Sequence, residues 1–425
     1  MHFNIMPSLL SGNLTIPPSK SHTIRAILFA ALAKGTSYIE NFLQSPDSQA
    51  MITAVRLLGA QVDVYSNSLK ICGCAGKITS FQDVIQCGNS GQVLRFIGAL
   101  SGLLSHYTVL TGDVSIRQQR LMKPLIDGLS QLGAFAVSSL DNGYAPLIIK
   151  GPLRGSVAYV DGEDSQPISG LLMAAAFAPH PIELHVSNPG EKPWIDLTLH
   201  WFEKLGIIYQ RQDYSYYRLE GNSQIEAFNY QVPGDFSTAA FPIAAALITG
   251  SRLTLHGLDM QDPQGDKAFI PLLEKMGASF EIDHKNMTVT TLAGACLQGI
   301  QADINDFVDA LPILAVVGCF AQGRTEITNA SIARKKESDR IHLIVKELKK
   351  MGARIEERED GFIVEKSELQ GANLEAHQDH RLGLALMVAA LAAKSSSQIL
   401  GVDCIAKTYP CFDEEFRSIG AIIKR

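Results

Sequence analysis

The chain has 425 residues, 46% of them hydrophobic and 19% charged, with a formal net charge of −6. That length accommodates two or more domains with full cores, and the acidic balance argues against a general nucleic-acid binder. The longest apolar runs, at 310–321 and 382–393, are too short to span a bilayer.

The first patterned stretch is Pro17-Pro18-Ser19-Lys20-Ser21-His22-Thr23-Ile24-Arg25. Its prolines stiffen the approach to a helix that should begin at about Ser19 to Ser21, because proline is not tolerated mid-helix. Lys20 and Ser21 then stand at the amino end, where free N–H groups and the helix dipole favour an anion. Arg25 rises one turn later on the side of Ser21. A lysine, a hydroxyl and an arginine around a helix start suit a phosphate or a carboxylate, although a plain cap with two solvated bases would look the same.

Two phased features organise the remainder. A helix-ending Gly followed by a strand recurs at Gly59, Gly133, Gly206, Gly277, Gly352 and Gly420. About forty residues upstream of each, a polar residue opens an apolar segment: Lys20, Ser90, Ser165, Asp235, Asp309 and Asp379. The segments include Phe96–Leu104, Ile168–Phe177, Phe236–Leu247, Ala310–Phe320 and Leu382–Ala392, and helices apolar all round are buried ones. Six such units, each longer than a solenoid repeat, predict a two-domain α/β protein with three units per domain and a crossing near Pro233-Gly234. If the units of each half pack side by side, the amino ends of their buried helices gather, a prior for binding small, multiply charged anions.

Unit by unit, the polar residues near the helix starts are the candidates for chemistry. Gly88-Asn89-Ser90-Gly91-Gln92 leads into the helix carrying Arg95, and Gly91 permits close approach of a ligand to backbone. Thr111-Gly112-Asp113 precedes Arg117 and Arg120, either of which is a candidate anion clamp. Asp164-Ser165-Gln166 offers groups for hydroxyls, whereas Asp235 reads as a simple cap. In the fifth unit, Asp309 is a cap or a base. Arg334-Lys335-Lys336-Glu337-Ser338-Asp339-Arg340 then puts four bases at a helix start, with Ser338 the expected cap; a charge pattern serving only the helix would put acids there. Glu337 among those cations is placed for acid–base work. The sixth unit has Gln378-Asp379-His380-Arg381 and later Lys407-Thr408-Tyr409-Pro410. His377 and His380 without further ligands are weak grounds for a metal. Seven scattered cysteines, with only Cys72 and Cys74 close together, suit a reducing compartment.

Taken together and in order, these segments resemble the 5-enolpyruvylshikimate-3-phosphate (EPSP) synthase family over essentially the full length. The matching segments are Pro18-Ser19-Lys20-Ser21 with Arg25, Gly88-Asn89-Ser90-Gly91, Thr111-Gly112-Asp113 with Arg120, and Ser165-Gln166. Asp309-Ala310, Lys336 to Arg340, Asp379-His380-Arg381 and Ala406-Lys407-Thr408 complete the set. The resemblance implies two inside-out α/β barrel domains of βαβαββ units, residues 19–232 and residues 1–18 with 233–425, with the active site in the cleft between them. It implies transfer of the enolpyruvyl group of phosphoenolpyruvate to the 5-hydroxyl of shikimate 3-phosphate, a step toward chorismate and the aromatic amino acids.

By the same warrant Lys20, Ser21, Arg25, Ser165, Gln166, Asp309 and Lys336 are expected to hold shikimate 3-phosphate. Lys20, Gly91, Arg120, Gln166, Arg340, Arg381 and Lys407 are expected to hold phosphoenolpyruvate, with Asp309, Glu337 and Lys20 catalytic. No cofactor and no metal are expected, nor a nucleic-acid or membrane partner, and the protein is expected to be a cytoplasmic monomer. Departures from the family pattern are Gln92 where threonine is common, Asp164 where serine is usual, and Glu191 and Trp194 in a segment that often carries serine and tyrosine. Three rival readings are a UDP-N-acetylglucosamine enolpyruvyl transferase, an RNA 3′-phosphate cyclase and a non-catalytic binder of phosphorylated metabolites. The first usually carries a lysine–asparagine pair and a reactive loop cysteine, the second a nucleotide site and nucleophilic histidine, and the third has no need of both Asp309 and Glu337.

Overall fold

The computed structural model describes residues 1–78 and 83–425. The chain divides into two compact units, Pro18–Val232 and Met1–Pro17 with Pro233–Arg425, each built around its own hydrophobic core.

Within Pro18–Val232 the first repeat carries α1 (Lys20–Leu32) and α2 (Pro46–Leu57). The second carries α3 (Gly91–Ser101), a short α4 (Val114–Gln118) and α5 (Lys123–Gln131), and the third α6 (Ser165–Phe177) and α7 (Lys192–Leu205). In the other unit the pairs are α8 (Phe236–Thr249) with α9 (Phe269–Lys275), α10 (Leu311–Phe320) with α11 (Arg340–Lys350), and α12 (His380–Leu391) with α13 (Phe412–Ser418). The first helix of every pair is buried along almost its whole length, as expected of helices that are apolar on all faces. α3 stops at Ser101 rather than Leu104, with Gly102 as its last capping residue.

The six four-stranded sheets share one plan: a parallel pair extended by two further antiparallel strands. In the fifth repeat, for example, Gln301–Asp303 runs parallel to Arg324–Thr328, which pairs antiparallel with Gly361–Glu365 and so with Arg354–Arg358. Three sheets take strands from far along the chain. His2–Met6 pairs with Ser397–Leu400 and Ile422–Lys424, and Ser11–Thr15 pairs with Arg252–His256. Asn229–Gln231 returns likewise to Thr36–Glu40. Within each unit the buried helices lie inside and the sheets outside, an inside-out α/β arrangement that places the polar starts of three buried helices within reach of one another's neighbours.

Each repeat closes with glycine. Gly59, Gly133, Gly206, Gly277, Gly352 and Gly420 all have φ between +70° and +106°, which explains why this residue recurs where an amphipathic helix turns into a strand. Gly206, at φ +70°, has no atom within 4 Å of where a Cβ would sit, so only conformation constrains it. Gly206→Ala should therefore lower stability by about 1 kcal/mol, the left-handed penalty of ~1–2 kcal/mol partly offset by a stiffer unfolded chain. Gly206→Asn should lose less, a ranking that denaturant midpoints measure.

Candidate active site

In Pro18–Val232 the sequence candidates collect at the amino ends of α1, α3 and α6. Ser19 caps α1, accepting from the N–H of His22, and leaves Lys20 and Ser21 as its first residues. Lys20 Nζ lies 3.5 Å from the buried Asp47 carboxylate at the start of α2. The Ser21 hydroxyl accepts from Gln92 Nε2 at 3.0 Å, so Gln92 ties α3 to the start of α1.

Arg25 is buried without a carboxylate partner among the described residues. Its guanidinium donates to Thr198 Oγ1 at 3.1 and 2.8 Å, to the Ser21 carbonyl and to the Trp194 carbonyl, and sits over the Phe96 ring. Burial of the charge lowers its pKa to about 9, the mark of a cation held among neutral dipoles. Arg95, equally buried, is matched by Asp164 at 2.7 Å and donates to Gln166 Oε1 at 3.1 Å. Asp164 also caps α6 through the N–H of Gln166, and the neighbouring N–H of Ser165 meets Glu191 Oε2 at 3.5 Å. The two carboxylates that distinguish this chain thus frame one helix start.

Gly91 opens α3, and a Cβ built there would lie 2.6 Å from Arg95 Nη1, 3.2 Å from Gln166 Oε1 and 3.4 Å from Arg120 Nη1. Glycine is needed because three side chains converge over the backbone. Arg120 is buried in that group, whereas Arg117 is exposed, which separates the two candidate clamps. Asp113 serves the loop instead, capping α4 and accepting from Asn89 and Ser115.

In the other unit the candidates form a continuous ionic network. Arg340 is 1% exposed and contacts three carboxylates: Asp309 at 2.7 Å, Glu337 at 2.7 Å and Asp379 at 2.8 Å. Lys407 Nζ takes the other oxygen of Glu337 at 2.7 Å. Arg381 reaches Asp309 at 3.2 Å and donates to the Ser237 hydroxyl, which donates in turn to Asp235. Arg381 Nε and Nη1 are buried with no hydrogen-bond partner among the described residues. Lys336 is buried in the same segment.

Burial alone would raise the Asp309 carboxyl, but Arg381, Arg340 and Lys336 together hold it well below the usual carboxylate range. Burial would lower the Arg340 guanidinium, and Asp379, Glu337 and Asp309 raise it instead, well above its ordinary value. Asp309 and Arg340 are therefore both fully charged at neutral pH.

The structure overturns one sequence reading and sharpens two others. Asp339, not Ser338, caps α11, accepting from the N–H of His342, and Ser338 donates to Asp379 instead. Asp309 does not cap α10; it sits in a preceding 3-10 turn, Asn305–Ala310, with its carboxylate committed to the arginines. Asp235, read as a simple cap, does cap α8 but also supports Ser237 beneath Arg381. Arg334 stands apart from the cations beside it, bonded to Asp339, Glu357 and the carbonyls of Arg358 and Glu359. Glu337, Asp379 and His380 bring ligand-type atoms within 4.8 Å of one another. Both carboxylates are already engaged by Arg340, Lys407 and Ser338, so this donor set fits a protein cation better than a metal ion. His377 points elsewhere, to Glu347.

Two buried sets of cations, each mixed with carboxylates and hydroxyls at helix starts, define a protein that handles small polyanions. Comparison with known proteins gives the family. The model for EPSP synthase (3-phosphoshikimate 1-carboxyvinyltransferase) matches residues 6–416. The chain is 42% identical over 424 residues to the 3-phosphoshikimate 1-carboxyvinyltransferase of Chlamydia caviae, covering 99% of this chain and 94% of that one. It is 40% identical to that of Acetivibrio thermocellus, covering 100% and 99%. A solved EPSP synthase from Acinetobacter baumannii superposes with a TM-score of 0.82 at 27% identity, covering all of both chains. The chain belongs to the EPSP synthase family. No helix among the described residues is long and apolar enough to cross a membrane.

The depressed Asp309 carboxyl has a consequence for acid stability. A carboxyl whose folded pKa lies below its unfolded value stabilises the fold above that value, here 3.8, and the contribution is lost as pH falls. Asp309→Asn removes it, so denaturant midpoints of the variant should fall less steeply than the parent's between about pH 5 and pH 2. At neutral pH the variant should be the less stable, because Arg340 and Arg381 lose a buried counter-charge.

Proposed function

We propose that these two sets of residues carry the reaction of this family, transfer of the enolpyruvyl group of phosphoenolpyruvate to the 5-hydroxyl of shikimate 3-phosphate with release of phosphate. Both units would serve one pair of substrates. Lys20, Ser21, Arg25, Ser165 and Gln166, with Asp309 and Lys336, would hold shikimate 3-phosphate. Arg340, Arg381 and Lys407, with Lys20, Gly91, Arg120 and Gln166, would hold phosphoenolpyruvate. The observation that carries the reading is the coexistence of buried cations lacking full compensation with buried carboxylates beside them. Among the described residues Arg25 has no carboxylate partner and Arg381 leaves two nitrogens unbonded, so an anion would complete what the protein leaves open.

The chemistry follows from charge balance. Protonation of the phosphoenolpyruvate methylene develops cationic character at the adjacent carbon, the 5-hydroxyl adds there, and phosphate leaves from the tetrahedral intermediate as a proton is lost. Asp309 suits the base at the hydroxyl, and Glu337, with Lys20, the proton transfers at the methylene. The cations supply electrostatic stabilisation of phosphate and carboxylate throughout. The free thiols of all seven cysteines fit the reducing cytoplasm in which we place the protein. We further propose that the protein is a monomer, which sedimentation velocity tests.

Phosphate release from phosphoenolpyruvate should require shikimate 3-phosphate and fail with UDP-N-acetylglucosamine as acceptor; the opposite preference would overturn the reading. Glu337→Gln keeps shape but cannot deliver a proton, so kcat should fall by about 10²-fold or more. Affinity for shikimate 3-phosphate, measured by calorimetry, should stay close to the parent's.

Gly91→Ala tests the convergence on α3. The added methyl would displace Arg95 Nη1 and crowd Gln166 and Arg120, so KM for phosphoenolpyruvate should rise while that for shikimate 3-phosphate changes less. A melting temperature above the parent's with unchanged KM would make Gly91 a plain helix-start residue.

A further inference from the structure

Glu347 lies on α11 seven residues beyond Arg340, hence two turns along the same face. Its side chain is fully buried, and a carboxylate removed from water must be compensated by partners. Lys350 Nζ donates to both oxygens at 2.8 and 2.7 Å. The ring Nε2–H of His377 donates to Oε1 at 2.9 Å, and the backbone N–H of Glu375 donates to Oε2 at 3.1 Å. Two of these three partners belong to the segment that leads into α12.

That segment has an unusual backbone. His377 and Gln378 have φ of 50° and 56°, two successive non-glycine residues in the left-handed region. Such residues persist only where their surroundings over-determine them, and they concentrate at binding sites. The turn delivers Asp379, which caps α12 through the N–H of Arg381 and holds Arg340 and Ser338 with the same carboxylate. Apart from Glu347, the polar partner of the His377 ring among the described residues is the Glu375 carboxylate, at 3.8 Å. One helix therefore bears Arg340 at its start and, two turns later, the group that grips the turn presenting Asp379 and Arg381.

We infer that Glu347 and His377 form a positioning pair: the Glu347 carboxylate clamps the left-handed His377–Gln378 turn against α11 and so sets where Arg381 is presented to the anionic groups of phosphoenolpyruvate. Neither residue touches substrate. The inference rests on the assignment of Arg381 to phosphoenolpyruvate made above, and it adds a second tether to the direct link between Asp379 and Arg340.

Steady-state kinetics on full-length variants test it. His377→Gly keeps the left-handed backbone at no steric cost and removes the ring, whereas His377→Asn tolerates the same backbone and keeps an N–H donor. Glu347→Gln keeps the shape and removes the charge. His377→Gly and Glu347→Gln should each raise KM for phosphoenolpyruvate by about 10-fold, the size expected for one lost hydrogen bond to a charged group. His377→Asn should recover most of the loss, and KM for shikimate 3-phosphate should stay within about 2-fold in all three. A lower melting temperature with both KM values unchanged would make the pair merely structural and overturn the inference. Arg381→Ala is run alongside. If it raises KM for phosphoenolpyruvate and the other variants do not, only the positioning pair fails; if it too leaves KM unchanged, the assignment of Arg381 fails and the pair with it. Should Glu347→Gln not fold, the contrast between His377→Gly and His377→Asn decides alone.

Discussion

Arg340 is a guanidinium taken almost wholly out of water, and the arrangement of its unit follows from the need to compensate it. Removing one such charge from solvent costs several kcal/mol even after relaxation, so it survives only amid close, well-directed acceptors. Three carboxylates supply them, and they come from three different places: the 3-10 turn before α10, the segment before α11, and the cap of α12. Each carboxylate binds a further group in turn, Asp309 to Arg381, Glu337 to Lys407 and Asp379 to Ser338. The network thus locks the starts of neighbouring repeats together, and its side chains are preorganised by charge rather than by packing alone.

The unit Pro18–Val232 meets the same problem partly with neutral dipoles. Arg95 is paired with Asp164, whereas Arg25, among the described residues, relies on Thr198 and two carbonyls. Dipoles solvate a buried cation less completely than a carboxylate does, which is why burial depresses Arg25 so far. The two units therefore differ in kind: one holds its cations against internal anions, the other keeps a cation short of negative charge.

How much of this was legible in the sequence depends on how local each signal is. The repeat was readable because a left-handed glycine at a helix end is dictated by its own backbone, and the buried helices because their composition leaves no polar face. Most candidate residues stood out because they crowd helix starts, where bases are otherwise unfavourable. What escaped was set by partners distant in sequence. Ser237 looks like any residue after an Asp cap until Arg381, on α12, arrives at its hydroxyl. Glu347 sits in Lys346-Glu347-Leu348-Lys349-Lys350, which reads as a solvated charged face, yet it is buried because the turn before α12 folds over it. Ser338 and Asp339 are equally good caps by residue type, and Asp339 caps because Ser338 is drawn away to Asp379. The pairing of His2–Met6 with strands near the far end of the chain has no local signal at all.

The shared use of cations gives the proposed chemistry its timing. Arg340, Arg381 and Lys407 now spend their positive charge on Asp309 and Glu337, and Asp309 is held a weak base by that attention. An anion arriving at the same guanidinium and ammonium groups competes for them. Every increment of positive charge it draws away weakens the field on the carboxylates and raises their proton affinity. On the proposed reading, Asp309 would then be a better base with substrate bound than without it.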